Sequence, residues 1–132
     1  MQTDTVSNWH ALLESRDLSQ LDGMLAENAV FHSPVVHTPQ EGKELTKFYL
    51  TGAFYVLLDK GFHYVREIVG EDNAALEFAA EIDGIRINGI DLIHWNEDGK
   101  IDDFKVMIRP LKAINLLHRL MREALEKANA DA

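Results

Sequence analysis

The 132-residue sequence has no cysteine, so no disulfide, thiolate nucleophile or thiolate metal ligand is available. We therefore expect a reducing compartment, the cytoplasm. Basic residues are also scarce: 13 lysines and arginines stand against 22 acids, giving a net charge of −9 without a basic cluster. Such a chain is a poor partner for nucleic acid or an anionic membrane. No apolar run is long enough to span a bilayer, and the start does not resemble a secretion signal.

Apolar residues make up 46% of the chain, which is enough for the core of one domain spanning residues 1–132. Their spacing predicts helices at 5–16, 18–26, 41–60 and 111–128, and strands at 29–33, 62–69, 74–83, 85–96 and 101–109. The last four strands follow one another as a meander, and the helices are segregated from them. This order predicts an α+β fold built on an antiparallel sheet.

The most informative pattern lies in the last two strands, which a short turn at 97–100 joins. Alternate residues from Ile85 to Trp95 form one face, and this face is apolar apart from Gly89 and Asp91. A charged carboxylate is costly to bury, so Asp91 should be hydrogen-bonded, protonated or next to a polar cavity, with a pKa above about 3.9. A structural role for Asp91, fixing a loop or a backbone amide, explains the pattern equally well.

Two features of the long helices bear on packing. Gly52 lies inside the third helix, where glycine costs stability relative to alanine, so it marks a close contact or an opening. The last helix carries an apolar stripe at helical spacing, formed by Leu111, Ile114, Leu117, His118, Met121 and Leu125. This stripe packs on the domain's own sheet or clasps a partner subunit, and the pattern alone does not choose between them.

Six histidines raise the question of a metal, but their spacing matches no metal-binding motif, and we predict neither a metal nor a cofactor. A nucleophilic triad of Ser33, His37 and Asp91 lacks the sequence of a nucleophile elbow. The chain also has no glycine-rich phosphate loop and no dinucleotide-binding fingerprint.

Two stretches carry a resemblance to a known family: residues 25–49, LAENAVFHSPVVHTPQEGKELTKFY, and residues 89–107, GIDLIHWNEDGKIDDFKVM. They resemble the nuclear transport factor 2-like (SnoaL-like) superfamily, which includes ketosteroid isomerases and polyketide cyclases. The resemblance implies a cone, in which a curved antiparallel sheet wraps around N-terminal helices and a C-terminal helix follows. The superfamily contains isomerases, cyclases, epoxide hydrolases and non-catalytic binders, so the fold alone does not settle the function.

Comparison with the ketosteroid isomerases places Asp91 on their protonated oxyanion-hole aspartic acid, Ser33 on their general-base aspartate and Trp9 on their oxyanion-hole tyrosine. Serine is a poor proton acceptor without a base beside it, and an indole does not exchange a proton as a phenol does. The resemblance therefore argues against steroid isomerisation by the same mechanism. The Asp–Arg–Asp set of the superfamily's epoxide hydrolases is also missing from the last strand, whose inner face offers Phe104, Val106 and Ile108.

The resemblance implies that Asp91 points into the cone and that His37 overhangs its mouth. One cavity would then be lined by Trp9, Phe31, Ser33, Tyr49, Phe78, Phe104 and Ile108, although each of these aromatic residues is also typical of an ordinary core. We predict binding of a small apolar molecule that Asp91 orients. The alternatives are an isomerase, cyclase or lyase using Asp91 and His37 as acid and base, and a dimerisation scaffold without ligand. The outer face, with Ile90, Leu92, His94 and Met107, would suit a homodimer.

Overall fold

Four helices, a single turn of 3-10 helix and six strands make up residues 2–131, the part of the chain that the computed structural model describes. The side chains of residues 2, 3 and 128–131 lie outside the description. In chain order the elements are α1 (Gln2–Ser15), the 3-10 turn (Leu18–Gln20), α2 (Leu21–Met24), β1 (Leu25–His32), β2 (Gln40–Glu41), α3 (Lys43–Leu57), β3 (His63–Val69), β4 (Asn73–Ile82), β5 (Ile85–Trp95), β6 (Ile101–Arg109) and α4 (Leu111–Asp131).

The six strands form one sheet in the order β2-β1-β6-β5-β4-β3, which confirms the α+β class and the meander of the last four strands. The sheet is mixed rather than wholly antiparallel, because β1 runs parallel to β6 with Phe31 opposite Phe104. The same pairing brings Leu25 opposite Ile101, so the chain is already extended where the sequence predicted the end of a helix. The two-residue strand β2, which pairs with β1, was not predicted.

Strand β5 has the predicted alternation of faces. Ile87, Gly89, Asp91, Ile93 and Trp95 are buried, while the residues between them are half-buried on the outer face. On that outer face Met107 of β6 is about half exposed, at 51%. The prediction that this face joins a second copy of the chain stays a prediction.

Helices α1 and α3 cover the concave face of the sheet. Trp9 of α1 is 1% exposed and its ring lies 5.6 Å from that of Phe54 on α3 and 5.0 Å from that of Phe104 on β6. Aromatic pairs at these separations stabilise a core beyond the area that they bury. The concave face is therefore filled at its centre, and any cavity lies beside this aromatic cluster.

Helix α4 packs on its own chain, against α3 and the adjoining end of the sheet. Its Ala113, Leu116 and Leu117 belong to the same buried cluster as Phe78 and Ile87. Gly52 of α3 marks a close contact, the first of the two interpretations above. A Cβ atom there would lie 2.9 Å from Leu125 Cδ2 and 3.3 Å from Met121 Cε. No helix within residues 2–131 combines the length and the apolar character needed to cross a membrane.

Candidate functional site

The centre of the candidate site is a hydrogen-bonded chain of three side chains, one from each of three elements. Trp9 Nε1 on α1 donates to Tyr64 Oη on β3 at 2.9 Å, and Tyr64 Oη donates to Asp91 Oδ2 on β5 at 2.7 Å. Asp91 is only 6% exposed. Its other oxygen, Oδ1, makes no hydrogen bond to any of the side chains or backbone groups in the described range. One acceptor of a buried carboxyl group is therefore left for a water or a ligand.

Burial raises the pKa of Asp91 to about 7, and the hydrogen bond from Tyr64, which favours the charged form, opposes this rise. The pKa of the Tyr64 phenol is also raised well above its ordinary value of 10.0, first by burial and then by the neighbouring Asp91 charge. Near neutral pH, Tyr64 is thus a neutral donor and Asp91 exists in both protonation states. A carboxyl group of this kind can donate or accept a proton at physiological pH.

The carboxyl group borders a small inner chamber of about 50 Å³. Trp9, Tyr64, Phe78 and Phe104 contribute to its walls, together with leucines of α1 and α3. One water molecule occupies about 30 Å³ in the liquid, so the chamber has room for one or two water molecules or for one functional group of a ligand. It is too small to hold a whole organic ligand.

A larger outer cavity of about 290 Å³ lies between the sheet, α3 and α4. Most of its lining is apolar, and His118, Arg122 and Glu126 of α4 provide polar groups. Its volume is at the lower end of the range for small-molecule sites. The outer cavity and the inner chamber share the side chains of Ala53, Leu57 and Val106, which form the wall between them.

Gly89, two residues before Asp91 on the same face of β5, is required by close packing. A Cβ atom at this position would lie 2.5 Å from Phe78 Cζ, 2.7 Å from Ile108 Cδ1 and 2.8 Å from the Met107 carbonyl oxygen. These distances are shorter than ordinary van der Waals contacts, and one of them is to backbone. The absent side chain allows Phe78 to lie across the strand and close the chamber beside the carboxyl group.

Residues 6–104 match the family profile of the SnoaL-like domain, so the match covers most of the chain and runs from within α1 to within β6. The chain belongs to the SnoaL-like family. This confirms the resemblance found in the two sequence stretches.

Known structures agree with the family assignment. A steroid delta-isomerase from Pseudomonas aeruginosa is 34% identical with a TM-score of 0.92, over 98% of this chain and 94% of that one. An uncharacterised bacterial protein with a cystatin-like fold from Silicibacter pomeroyi is 28% identical with a TM-score of 0.82, over 90% and 83%. The epoxide hydrolase/cyclase-like enzyme SalBIII of salinomycin pyran-ring formation is 19% identical with a TM-score of 0.65, over 82% and 90%, and shares the fold alone. No protein with a curated description matches significantly.

In this SnoaL-like domain, the residues that the sequence placed in one cavity are divided between two. Trp9, Phe78 and Phe104 line the inner chamber with Asp91, whereas Phe31, Ser33, Tyr49 and Ile108 line the outer cavity. Within the outer cavity the rings of Phe31 and Tyr49 stack at 5.7 Å.

Ser33 and His37, two polar residues of the loop after β1, do not line the inner chamber beside Asp91. Ser33 Oγ lines the outer cavity but accepts hydrogen bonds from the backbone N–H groups of Val35 at 3.1 Å and Val36 at 3.3 Å. These bonds make it a turn-stabilising group, as serine hydroxyls commonly are. His37 is exposed and lines neither the inner chamber nor the outer cavity. The structure therefore brings neither of them into contact with Asp91.

Tyr64, the partner of Asp91, was missed in the sequence. It is half-buried in a strand whose other residues are all exposed, so β3 shows no alternation that would distinguish one face. One feature of the sequence could have indicated that Tyr64 faces the core: Phe62 and Tyr64 are two aromatic residues at the spacing of one strand face. Their rings meet edge to face at 5.2 Å.

Three of the six histidines, His10, His32 and His94, pair with carboxylates. His94 lies between Asp102 at 2.5 Å and Asp72 at 3.3 Å, and these acids raise its pKa above the ordinary value of 6.5. His32 Nε2 lies 2.8 Å from an Asp103 oxygen. Among the side chains that the structure describes, no group of three or more histidines and acids is arranged to hold a metal ion.

Proposed function

We propose that this SnoaL-like domain binds a small, mainly apolar molecule in the outer cavity and orients it through Asp91. The observation that carries the proposal is the buried Asp91–Tyr64 pair beside an apolar cavity, with Asp91 Oδ1 unbonded within the described chain. Because Asp91 Oδ1 has no hydrogen-bond partner within the described chain, a ligand group that bonds to it adds a hydrogen bond and gains affinity. Apolar cavities with few, well-placed polar groups are typical of small-molecule sites.

The volumes define how such a ligand would lie. Its body fills the outer cavity, since the inner chamber holds only a single functional group. Its polar end reaches Asp91 past Ala53, Leu57 and Val106, the side chains that line both cavities. Protonated Asp91 donates to a carbonyl oxygen, whereas the ionised form repels it. A ketone is therefore the best test of the proposed orientation.

The experiment compares 4-phenylcyclohexanone with cyclohexylbenzene, which has the same rings without the carbonyl, by calorimetric titration from pH 5 to pH 9. We expect both to bind and the ketone to bind about fivefold more tightly at low pH, the effect of one hydrogen bond of about 1 kcal/mol. Above the pKa of Asp91, about 7, the preference for the ketone should disappear.

The Asp91→Asn variant is the matched control, because its amide keeps a donor at every pH. Its preference for the ketone should not change with pH. Equal affinities for both compounds at all pH values would exclude Asp91 as the anchor, and the absence of binding by either would refute the proposal.

A second candidate function is acid–base catalysis by Asp91 as an isomerase, cyclase or lyase. Two observations favour it: the pKa of about 7 at Asp91 and the 34% identity with a protein described as a steroid delta-isomerase. Incubation with a Δ5-3-ketosteroid, followed by the absorbance of the conjugated product, tests it in the wild type and in Asp91→Asn. Catalysis by Asp91 is supported if the substitution abolishes turnover while 4-phenylcyclohexanone still binds. Equal turnover in both proteins would exclude Asp91 as the catalyst.

A further inference from the structure

The outer cavity opens towards a second cleft of about 440 Å³, and the two share His118 and Arg122 of α4. Unlike the outer cavity, this cleft is lined mainly by polar and basic groups. Its polar lining includes Asp83, Lys112, Asn115, His118, Arg119 and Arg122. A molecule in the outer cavity therefore meets a basic surface at the cavity mouth.

Helical spacing brings the basic residues together. Lys112, Asn115, Arg119 and Arg122 follow one another at intervals of three, four and three residues, so they lie on one face of α4. They form no basic run in the sequence, which is why no cluster is visible there. In a chain of net charge −9, this helix face presents a local concentration of positive charge.

These cations are available to a ligand. Lys112, Arg119 and Arg122 are exposed and form no ion pair with any described side chain. By contrast, five basic residues elsewhere are paired with acids: Arg16, Lys43, Lys47, Arg66 and Arg86. Two acids border the region: Asp83 lines the cleft and Glu126 lines the outer cavity. Three permanent positive charges and His118 therefore face two negative charges, and the balance favours an anion.

We infer that the ligand is an amphipathic carboxylate, with an apolar body in the outer cavity and its carboxylate held at the mouth by Arg122 and Arg119. This inference rests on the proposed function and adds the chemical class of the ligand. The planar guanidinium group suits a carboxylate because two parallel N–H groups match its two oxygens. The favoured molecule thus has a neutral acceptor at the end near Asp91 and a carboxylate at the opposite end.

The test adds one carboxylate to the probe used above and compares 4-phenylcyclohexanone with 4-(4-oxocyclohexyl)benzoic acid. Two exposed ion pairs are expected to make the acid bind about 3- to 10-fold more tightly at low salt. The advantage should shrink as salt screens the charges. The double variant Arg119→Gln/Arg122→Gln should lose this advantage, measured as the ratio of its affinities for the acid and the ketone, since Arg122 also lines the outer cavity.

Lys127→Gln provides the matched control, because it removes one positive charge from the same helix at a residue that lines neither the outer cavity nor the basic cleft. It should retain at least half of the preference for the acid. The inference would be overturned, and the proposed function left intact, by either of two results. In one, the acid binds no more tightly than the ketone. In the other, Lys127→Gln and the double variant lose the preference for the acid to the same extent. Failure of both probes to bind would overturn both.

Discussion

Replacement of Asp91 by asparagine is expected to remove a pH dependence from the free energy of unfolding. In the folded protein the carboxyl group has a pKa of about 7, compared with an ordinary value of 3.8 for aspartate, which we take for the unfolded chain. Between these values the folded state retains a proton that the unfolded state has released. Rising pH therefore favours unfolding, and this contribution to wild-type stability falls from about pH 4 until about pH 7 and is constant above.

The magnitude follows from the difference of about 3 pH units at about 1.4 kcal/mol each, or about 4 kcal/mol in total. This is a large part of the net stability of a typical domain, about 5–15 kcal/mol. Asparagine has no proton to release, and its side-chain oxygen can still accept the hydrogen bond from Tyr64. The variant should therefore gain about 4 kcal/mol relative to the wild type between pH 4 and pH 8.

Urea unfolding followed by circular dichroism, in half-unit steps from pH 4 to pH 8, measures this difference. Other titrating groups, including His94 on the outer face, contribute equally to both proteins and cancel. Asp98→Asn on the exposed turn controls for the loss of one negative charge. A difference between Asp91→Asn and wild type that stays constant over the range would refute the assignment of a raised pKa to Asp91.

Three further substitutions test the surroundings of the carboxyl group and the surface. Tyr64→Phe removes a hydrogen bond that favours the ionised form, so the pKa of Asp91 should rise further above 7, as a carbon-13 titration of its carboxyl group would show. Gly89→Ala should destabilise the fold by about 1–3 kcal/mol through overpacking. Gly23→Ala is the control and should not destabilise it, because nothing lies within 4 Å of the added Cβ. Equal urea midpoints for the two variants would contradict this prediction. His94→Gln should remove the stabilisation that the protonated imidazole gains from Asp102 and Asp72. This stabilisation is present below about pH 6.5 and is lost as the pH rises through the raised pKa of His94. Because the His94 side chain is 43% exposed, this effect should stay below about 1 kcal/mol, measured as the pH dependence of the thermal midpoint.

Sequence patterns predicted those parts of the fold in which neighbouring residues alternate between clearly different environments. Strand β5 is the best case, since every second residue is buried and Asp91 stands out as the polar exception. Strand β6 was predicted with its observed bounds, Ile101–Arg109, between a turn and a proline. In such segments local periodicity and tertiary packing favour the same structure.

The remaining features depend on contacts between distant parts of the chain. The parallel pairing of β1 with β6 joins residues more than 70 positions apart, and it converts Leu25 from a predicted helix residue to a strand residue. Tyr64 was missed because its strand lies at the sheet edge, and only the approach of α1 and β5 gives this phenol its partners. The division of the site into two cavities likewise depends on how Ala53 and Leu57 of α3 pack beside Val106 of β6, which residue spacing does not encode.

Helix α4 packs closely on α3 at Gly52, and in the proposed function this helix shapes the space for the ligand while other elements hold the anchor. Strands β3 and β5 supply the buried phenol and carboxyl group, whereas residues of α4 form one side of the outer cavity and its mouth. Mutations in this terminal helix could therefore reshape the entrance and alter selectivity without disturbing the Tyr64–Asp91 pair. The terminal helix is accordingly the segment to exchange between homologues in order to retune which molecules enter.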